Sequence, residues 1–230
     1  MNQNQDNTQL ENSQYFQDFV GDGHLMINYQ EFDQSFVDRL VEKLRALYEP
    51  DLFSHSYQTM AFAERMAEKY GVDQGRTKVA SLLHDYGRVF PPQDLVALVQ
   101  EKKIPCTEFE LETSDLLHAL AGPELIRENF GIWDPQVLSA VRKHTVGSIQ
   151  MFPLDHIVYI SDKVELYRSY PGVDILRRTA LEDLNEAFKL CYKQSLIYVL
   201  TEGKPLHPDS CKIWNQMLQH LQNFSSSYSG

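Results

Sequence analysis

Apolar residues recur every three or four positions along almost the whole chain from residue 32 to residue 224, while strand-like alternation is hard to find. Phe36, Val37, Leu40, Val41, Leu44 and Leu47 mark a first helix over 32–48, broken at Pro50-Asp51. A second runs over 55–70 and stops at Gly71. Its residues His55, Thr59, Phe62 and Met66 fall at i, i+4, i+7 and i+11, a single face. Asp73 suits the cap of a third helix, which climbs through Val79, Ala80 and Leu83 to the pair His84-Asp85. Pro91-Pro92 opens a short helix, and 101–105 reads as a loop. A helix over 108–117 reaches His118; Pro123 starts or kinks the next, which ends at Asn129-Phe130-Gly131. Asp134-Pro135 pairs an N-cap with proline at the first helical position, and Val137, Val141 and His144 then share a face. Pro153 opens a helix whose inward face holds Leu154, Ile157, Val158 and Ser161, with Asp162 four beyond Val158. After the turn Tyr170-Pro171-Gly172, the spacing predicts helices over 173–202, with a break, and over 208–224. The expected fold class is all-α, a helical bundle around one core.

The ends read differently. Residues 1–30 form a polar N-terminal extension, expected to be partly disordered; 31–222 form the helical domain; 223–230 form a Ser-rich, frayed tail. Composition changes the picture only through charge. Thirty-two acidic against 21 basic residues give a net charge of −11, which argues against a nucleic-acid backbone or an anionic membrane as partner. An anionic substrate would need a local cluster of positive charge. Cys106, Cys191 and Cys211 have no CxxC spacing and read as reduced thiols. No apolar run approaches the length of a membrane span, and the start Met1-Asn2-Gln3-Asn4 lacks the pattern of a signal peptide, so a cytoplasmic location is expected.

Chemistry concentrates on inward faces. His55, His84, Asp85, His118, His144 and Asp162 lie on or near the core side of five different stretches. Each histidine alone reads first as a structural ring satisfied by a backbone carbonyl. One apolar core has little use for four such rings, however, and a buried carboxylate demands a partner. Four neutral imidazoles and two carboxylates exceed the needs of one tetrahedral zinc and fit two neighbouring ions, with Asp85 able to bridge them. Mixed nitrogen and oxygen donors favour iron or manganese over magnesium or calcium. Such a pair generates hydroxide at neutral pH and holds both the attacking and the leaving oxygens of a displacement at phosphorus. Arg88 and Arg168 lie just past the ligands, where they can neutralise phosphate oxygens, and Lys163 adjoins Asp162.

The pattern H…HD…H…H…D resembles the HD-domain metal-dependent phosphohydrolases. The detail is closer to the YqeK-like branch, which cleaves diadenosine tetraphosphate symmetrically to two ADP. The resemblance spans residues 50–215 and rests on Leu82-Leu83-His84-Asp85-Tyr86, Leu117-His118-Ala119, Arg142-Lys143-His144-Thr145-Val146-Gly147, Tyr159-Ile160-Ser161-Asp162, Tyr170-Pro171-Gly172-Val173 and His207-Pro208-Asp209. It implies a single HD-domain bundle around a buried di-metal site, with His55, His84, Asp85, His118, His144 and Asp162 as ligands. The implied cofactor is two divalent or mixed-valent ions, iron first and manganese or another transition ion as alternatives. Asp85, Arg88 and Arg168 take catalytic roles; Arg88, Lys163, Arg168, Thr145 and Gly147 bind or shape the place of the substrate. Arg88 stands where the branch usually has lysine, and Leu120 and Leu166 where it has proline. The expected partner is a small nucleotide substrate, with a homodimer as a further expectation and neither nucleic acid nor membrane. The alternatives are hydrolysis of another nucleotide or phosphoester, an iron-dependent oxygenase on the same scaffold, and a non-catalytic nucleotide-binding regulator.

Overall fold

A computed structural model describes residues 30–226, with side chains placed from 30 to 219. The expected disorder of the first residues and the end of the tail, 227–230, lie outside the described residues. Among the described residues the chain forms eleven α-helices and no strand. They are α1 (Gln34–Leu47), α2 (Pro50–Tyr70), α3 (Gln74–Leu83), α4 (Pro92–Glu101), α5 (Glu108–Glu112), α6 (Ser114–Phe130), α7 (Pro135–Lys143), α8 (Pro153–Val164), α9 (Val173–Ala180), α10 (Leu184–Thr201) and α11 (Ser210–Ser226). A 3-10 turn at Tyr86–Val89 follows α3. The all-α expectation holds. No helix among the described residues is long and apolar enough to cross a membrane.

Local signals explain most boundaries. Asp73 and Asp134 accept the first free backbone N–H groups of α3 and α7, and Gly71 and Gly131 close α2 and α6 in the left-handed conformation that glycine adopts without cost. Two expectations need correction, both at prolines. Pro50 opens α2 instead of merely breaking α1, because a proline at the first helical position has no N–H to leave unsatisfied. His55 therefore sits in the second turn of a 21-residue helix. Pro123 neither starts nor separates a helix: α6 runs unbroken through it, after a five-residue α5 whose end is set by Thr113.

The bundle is organised around α8. It packs on α2, α3 and α7, while α6 lies against α7 and the 3-10 turn. Leu82, Leu83, Met66, Leu117, Leu138, Ile157 and Val158 are buried between these elements. Each contributes about 1.5–3 kcal/mol through burial. Met66 and Ile157 share one apolar cluster with Tyr159, Phe188, Tyr192 and Ile213, which joins α8 to α10 and α11. The inward faces of α2, α3, α6, α7 and α8 thus converge on one place, and there the lining is polar.

Candidate metal centre

Two of the four histidines reach that place by the same local device. His84 and His144 are the C-terminal caps of α3 and α7, and each ring turns Nδ1 onto the carbonyl three residues back, Ser81 and Val141, at 2.7 Å. A helix end leaves such carbonyls without a backbone donor. A carbonyl can only accept, so Nδ1 carries the proton and Nε2 keeps its lone pair. His55 is oriented from outside its helix: Nδ1 faces Oε1 of Glu165 at 3.3 Å. His118 sits in the second turn of α6, 3 % exposed.

The six predicted ligands come together. Nε2 of His55 lies 3.2 Å from Nε2 of His84, and Nε2 of His118 lies 3.1 Å from Nε2 of His144. Asp85 stands between the pairs. Its Oδ2 is 3.6 Å from His84 and 3.8 Å from His55; its Oδ1 is 3.1 Å from His118 and 3.3 Å from His144. Asp162 closes the first pair, with Oδ1 3.1 Å from His55 Nε2. Two donor groups are thereby formed, His55–His84–Asp85 and Asp85–His118–His144, sharing one carboxylate.

The donors fit cations. Lone pairs facing each other at 3.1–3.2 Å repel unless positive charge lies between them and the carboxylates. Ligands bound to one ion at about 2.1 Å are separated by about 3.0 Å in octahedral and 3.4 Å in tetrahedral geometry. Oδ1 of Asp85 is buried among His118, His144 and Arg88, which lie at ion-pair distance without a well-aligned hydrogen bond. The electrostatics agree. Burial disfavours charge on His55, yet hydrogen bonds to Asp162 and Glu165 outweigh it and lift the ring to about 9. His84, wholly buried, is pushed down to about 4. Burial would raise Asp85 and Asp162, but the imidazoles, and Lys163 beside Asp162, hold both well below the usual carboxylate range. The pocket keeps its carboxylates ionised and draws a positive charge to Nε2 of His55.

The predicted cations take three different positions. Arg88 is half-exposed with Nε 2.8 Å from Asp85 Oδ1, and Arg168 is 43 % exposed with Nη2 3.1 Å from Asp162 Oδ1. Each arginine therefore grips one of the two carboxylates while staying reachable from solvent. Lys163 turns inward: Nζ donates to the His144 carbonyl and to Asp162 Oδ2, both at 3.0 Å, and lies 3.9 Å over the Tyr159 ring. Thr145 is partly exposed in the turn after His144, and Gly147 ends that turn with its N–H on the Lys143 carbonyl at 2.8 Å. The loop that follows is anchored by Asp155, fully buried, which accepts from Lys143 Nζ at 2.8 Å and from the Phe152 N–H at 3.0 Å.

Two residues of the centre were absent from the predicted set. Glu165, 3 % exposed, caps α8 and touches His55; burial opposes its charge, but His55 and the Tyr167 N–H outweigh that and lower it. Arg177 on α9 ties down the same turn, donating to the carbonyls of Val164, Glu165 and Arg168. Glu165 was within reach of sequence reading, because it lies three residues beyond Asp162 at a helix end.

Comparison with known proteins agrees with this geometry. A family model described as HD domain matches residues 52–167. The chain is 33 % identical over 180 residues to a protein of Halalkalibacterium halodurans named bis(5'-nucleosyl)-tetraphosphatase, symmetrical, covering 76 % of this chain and 96 % of that one. A protein of the same name from Bacillus subtilis is 29 % identical over 166 residues, covering 72 % and 89 %. Among solved structures, a predicted HD superfamily hydrolase involved in NAD metabolism from Clostridium acetobutylicum aligns with a TM-score of 0.75 at 31 % identity, over 80 % of this chain and 97 % of that one.

Proposed function

This chain belongs to the HD domain family, and on that premise we propose that it is a metal-dependent hydrolase of dinucleoside polyphosphates that cleaves diadenosine tetraphosphate to two ADP. The observation that carries this reading is Asp85, whose two oxygens face two separate imidazole pairs. His55, His84, Asp85 and Asp162 would hold a first ion, and His118 and His144, again with Asp85, a second. Four imidazole nitrogens and two carboxylates suit borderline ions, so iron is the proposed metal and manganese the substitute. Bound there, such ions acidify water to a nucleophile at neutral pH and neutralise charge on phosphoryl oxygens.

The chain's own residues do the rest. Arg88 and Arg168, each anchored on a site carboxylate, offer charge-assisted hydrogen bonds to the polyphosphate at the rim. Charge grows on the phosphoryl oxygens as the bond breaks, so a cation held in place before reaction stabilises that moment most. Lys163 supports the centre from behind, linking Asp162 to the backbone at His144. The water oxygen ends on one inner phosphorus, and the bridging bond at the centre of the tetraphosphate breaks, so both products are ADP. The test is product analysis after incubating metal-loaded protein with diadenosine tetraphosphate. ADP as sole product is expected; ATP plus AMP, or no turnover, overturns the assignment.

A further inference from the structure

We infer that Glu165 is a positioning residue that fixes His55 for the first ion site, an inference that rests on the two-ion reading above. His84 and His144 need no outside help, because they end their helices and find a spare carbonyl three residues upstream. His55 has no such option. It lies inside α2, where the nearby carbonyls belong to the helix's own hydrogen-bond ladder. Its Nδ1 takes its partner from 110 positions away: Oε1 of Glu165, at 3.3 Å.

Glu165 is itself held from several sides. Its Oε2 accepts the Tyr167 N–H at 2.6 Å, its backbone N–H bonds to the Ser161 carbonyl at 3.0 Å, and its carbonyl accepts from Arg177 Nη2 at 2.7 Å. Nε of Arg168 lies 3.6 Å from Oε1. The place is otherwise a poor one for a carboxylate. It is buried, and it sits at the C-terminal end of α8, where the helix dipole disfavours negative charge. A glutamate there makes physical sense as the partner of a ring that must donate through Nδ1 and present Nε2 to an ion. A carboxylate partner also makes the imidazole a stronger ligand than a carbonyl does.

The consequence is selective. Loss of the carboxylate weakens the first ion and leaves the second, held by His118, His144 and Asp85, as it was. Partners of this kind contribute about 10–100-fold to metal affinity. The test is a Mn²⁺ titration of chelator-stripped protein by calorimetry, with electron paramagnetic resonance of the bound ions. Wild-type protein is expected to take two ions per chain. Glu165→Gln is expected to lose about 10–100-fold in affinity for one of them, with the spectrum of a single isolated ion at intermediate Mn²⁺. In a His55→Ala background the same substitution should change nothing further. Should Glu165→Gln fail to fold, Glu165→Asp keeps the charge but withdraws it from Nδ1, and the same one-site loss is expected. Unchanged affinities, equal weakening of both ions, or an effect that persists without His55 each overturn the inference. Wild-type protein that binds no ion overturns the two-ion reading with it, whereas two ions without hydrolysis of the dinucleotide overturns only the substrate.

Discussion

Asp85 is the residue on which both halves of the centre depend. In the proposed two-ion site each other ligand would serve one ion, while Asp85 faces both imidazole pairs at 3.1–3.8 Å. Asp85→Ala should therefore lose both ions and all activity, whereas His118→Ala should lose one ion and keep the other; metal-to-protein ratios after dialysis decide between them. Two ions retained by Asp85→Ala would show that the aspartate does not bridge. Arg88 is a different kind of residue, tied to Asp85 but 49 % exposed. A charged hydrogen bond to a phosphate contributes about 1.5–3 kcal/mol, so Arg88→Ala should lower kcat/KM by about 10–150-fold. Arg88→Lys should restore most of that, since a compact cation also binds phosphate. Steady-state kinetics at saturating metal measure both, and a lysine variant no better than alanine would mean that the guanidinium fork, not the charge, is required.

At the scale of elements, the centre depends on how closely the 3-10 turn lies on α6. A Cβ added at Gly87 would meet the backbone of His118, 2.4 Å from its carbonyl oxygen and 2.7 Å from its Cα. Backbone cannot swing aside, so Gly87→Ala must part the turn from α6, and with it Asp85 from His118. Overpacking of this kind costs about 1–3 kcal/mol. The variant is expected to melt lower and to hold less of the second ion than of the first, by thermal unfolding and metal analysis. Such contacts also explain what the sequence made legible. His84 and His144 could be placed because each continues an apolar face whose direction the 3.6-residue period dictates; His118 was expected just past a helix over 108–117, whereas it lies in the second turn of α6. The caps Asp73 and Asp134 and the stops Gly71 and Gly131 are local rules, and the structure obeys them. Pro50 and Pro123 were misread because a proline says only that one N–H is missing; whether it opens a helix or lies within one depends on the packing around it. Glu165 could be suspected from its place three residues beyond Asp162, but its partner His55, 110 positions away, and the carbonyls that Arg177 holds up to 13 positions away are met only once the chain has folded.

Across the whole molecule, a net charge of −11 leaves an anionic substrate little reason to approach except at the centre, so the acidic surface and the cation-seeking pocket belong to one design. Acid also acts on the fold away from that pocket, at His156. It lies away from the ligands, at the start of α8, lining a 340 Å³ cavity with Met151, Phe188, Ile213 and Met217 and stacked on Phe188 at 4.4 Å. Burial, with Lys143 nearby, pushes its ring down to about 4, against about 6.5 in an unfolded chain. Between those values the unfolded chain binds more protons than the folded one, so stability rises with pH across that window. The neutral ring's contribution is complete above about 6.5 and is lost as pH falls towards 4. His156→Phe keeps a ring against Phe188 and removes the titration. Urea unfolding of metal-stripped protein at pH 7 and pH 4.5 should show a smaller acid loss for the variant than for wild type, with turnover at pH 7.5 unchanged. Equal acid losses would mean that His156 takes up its proton in the folded state as readily as in water, and that the cavity around it is open to solvent.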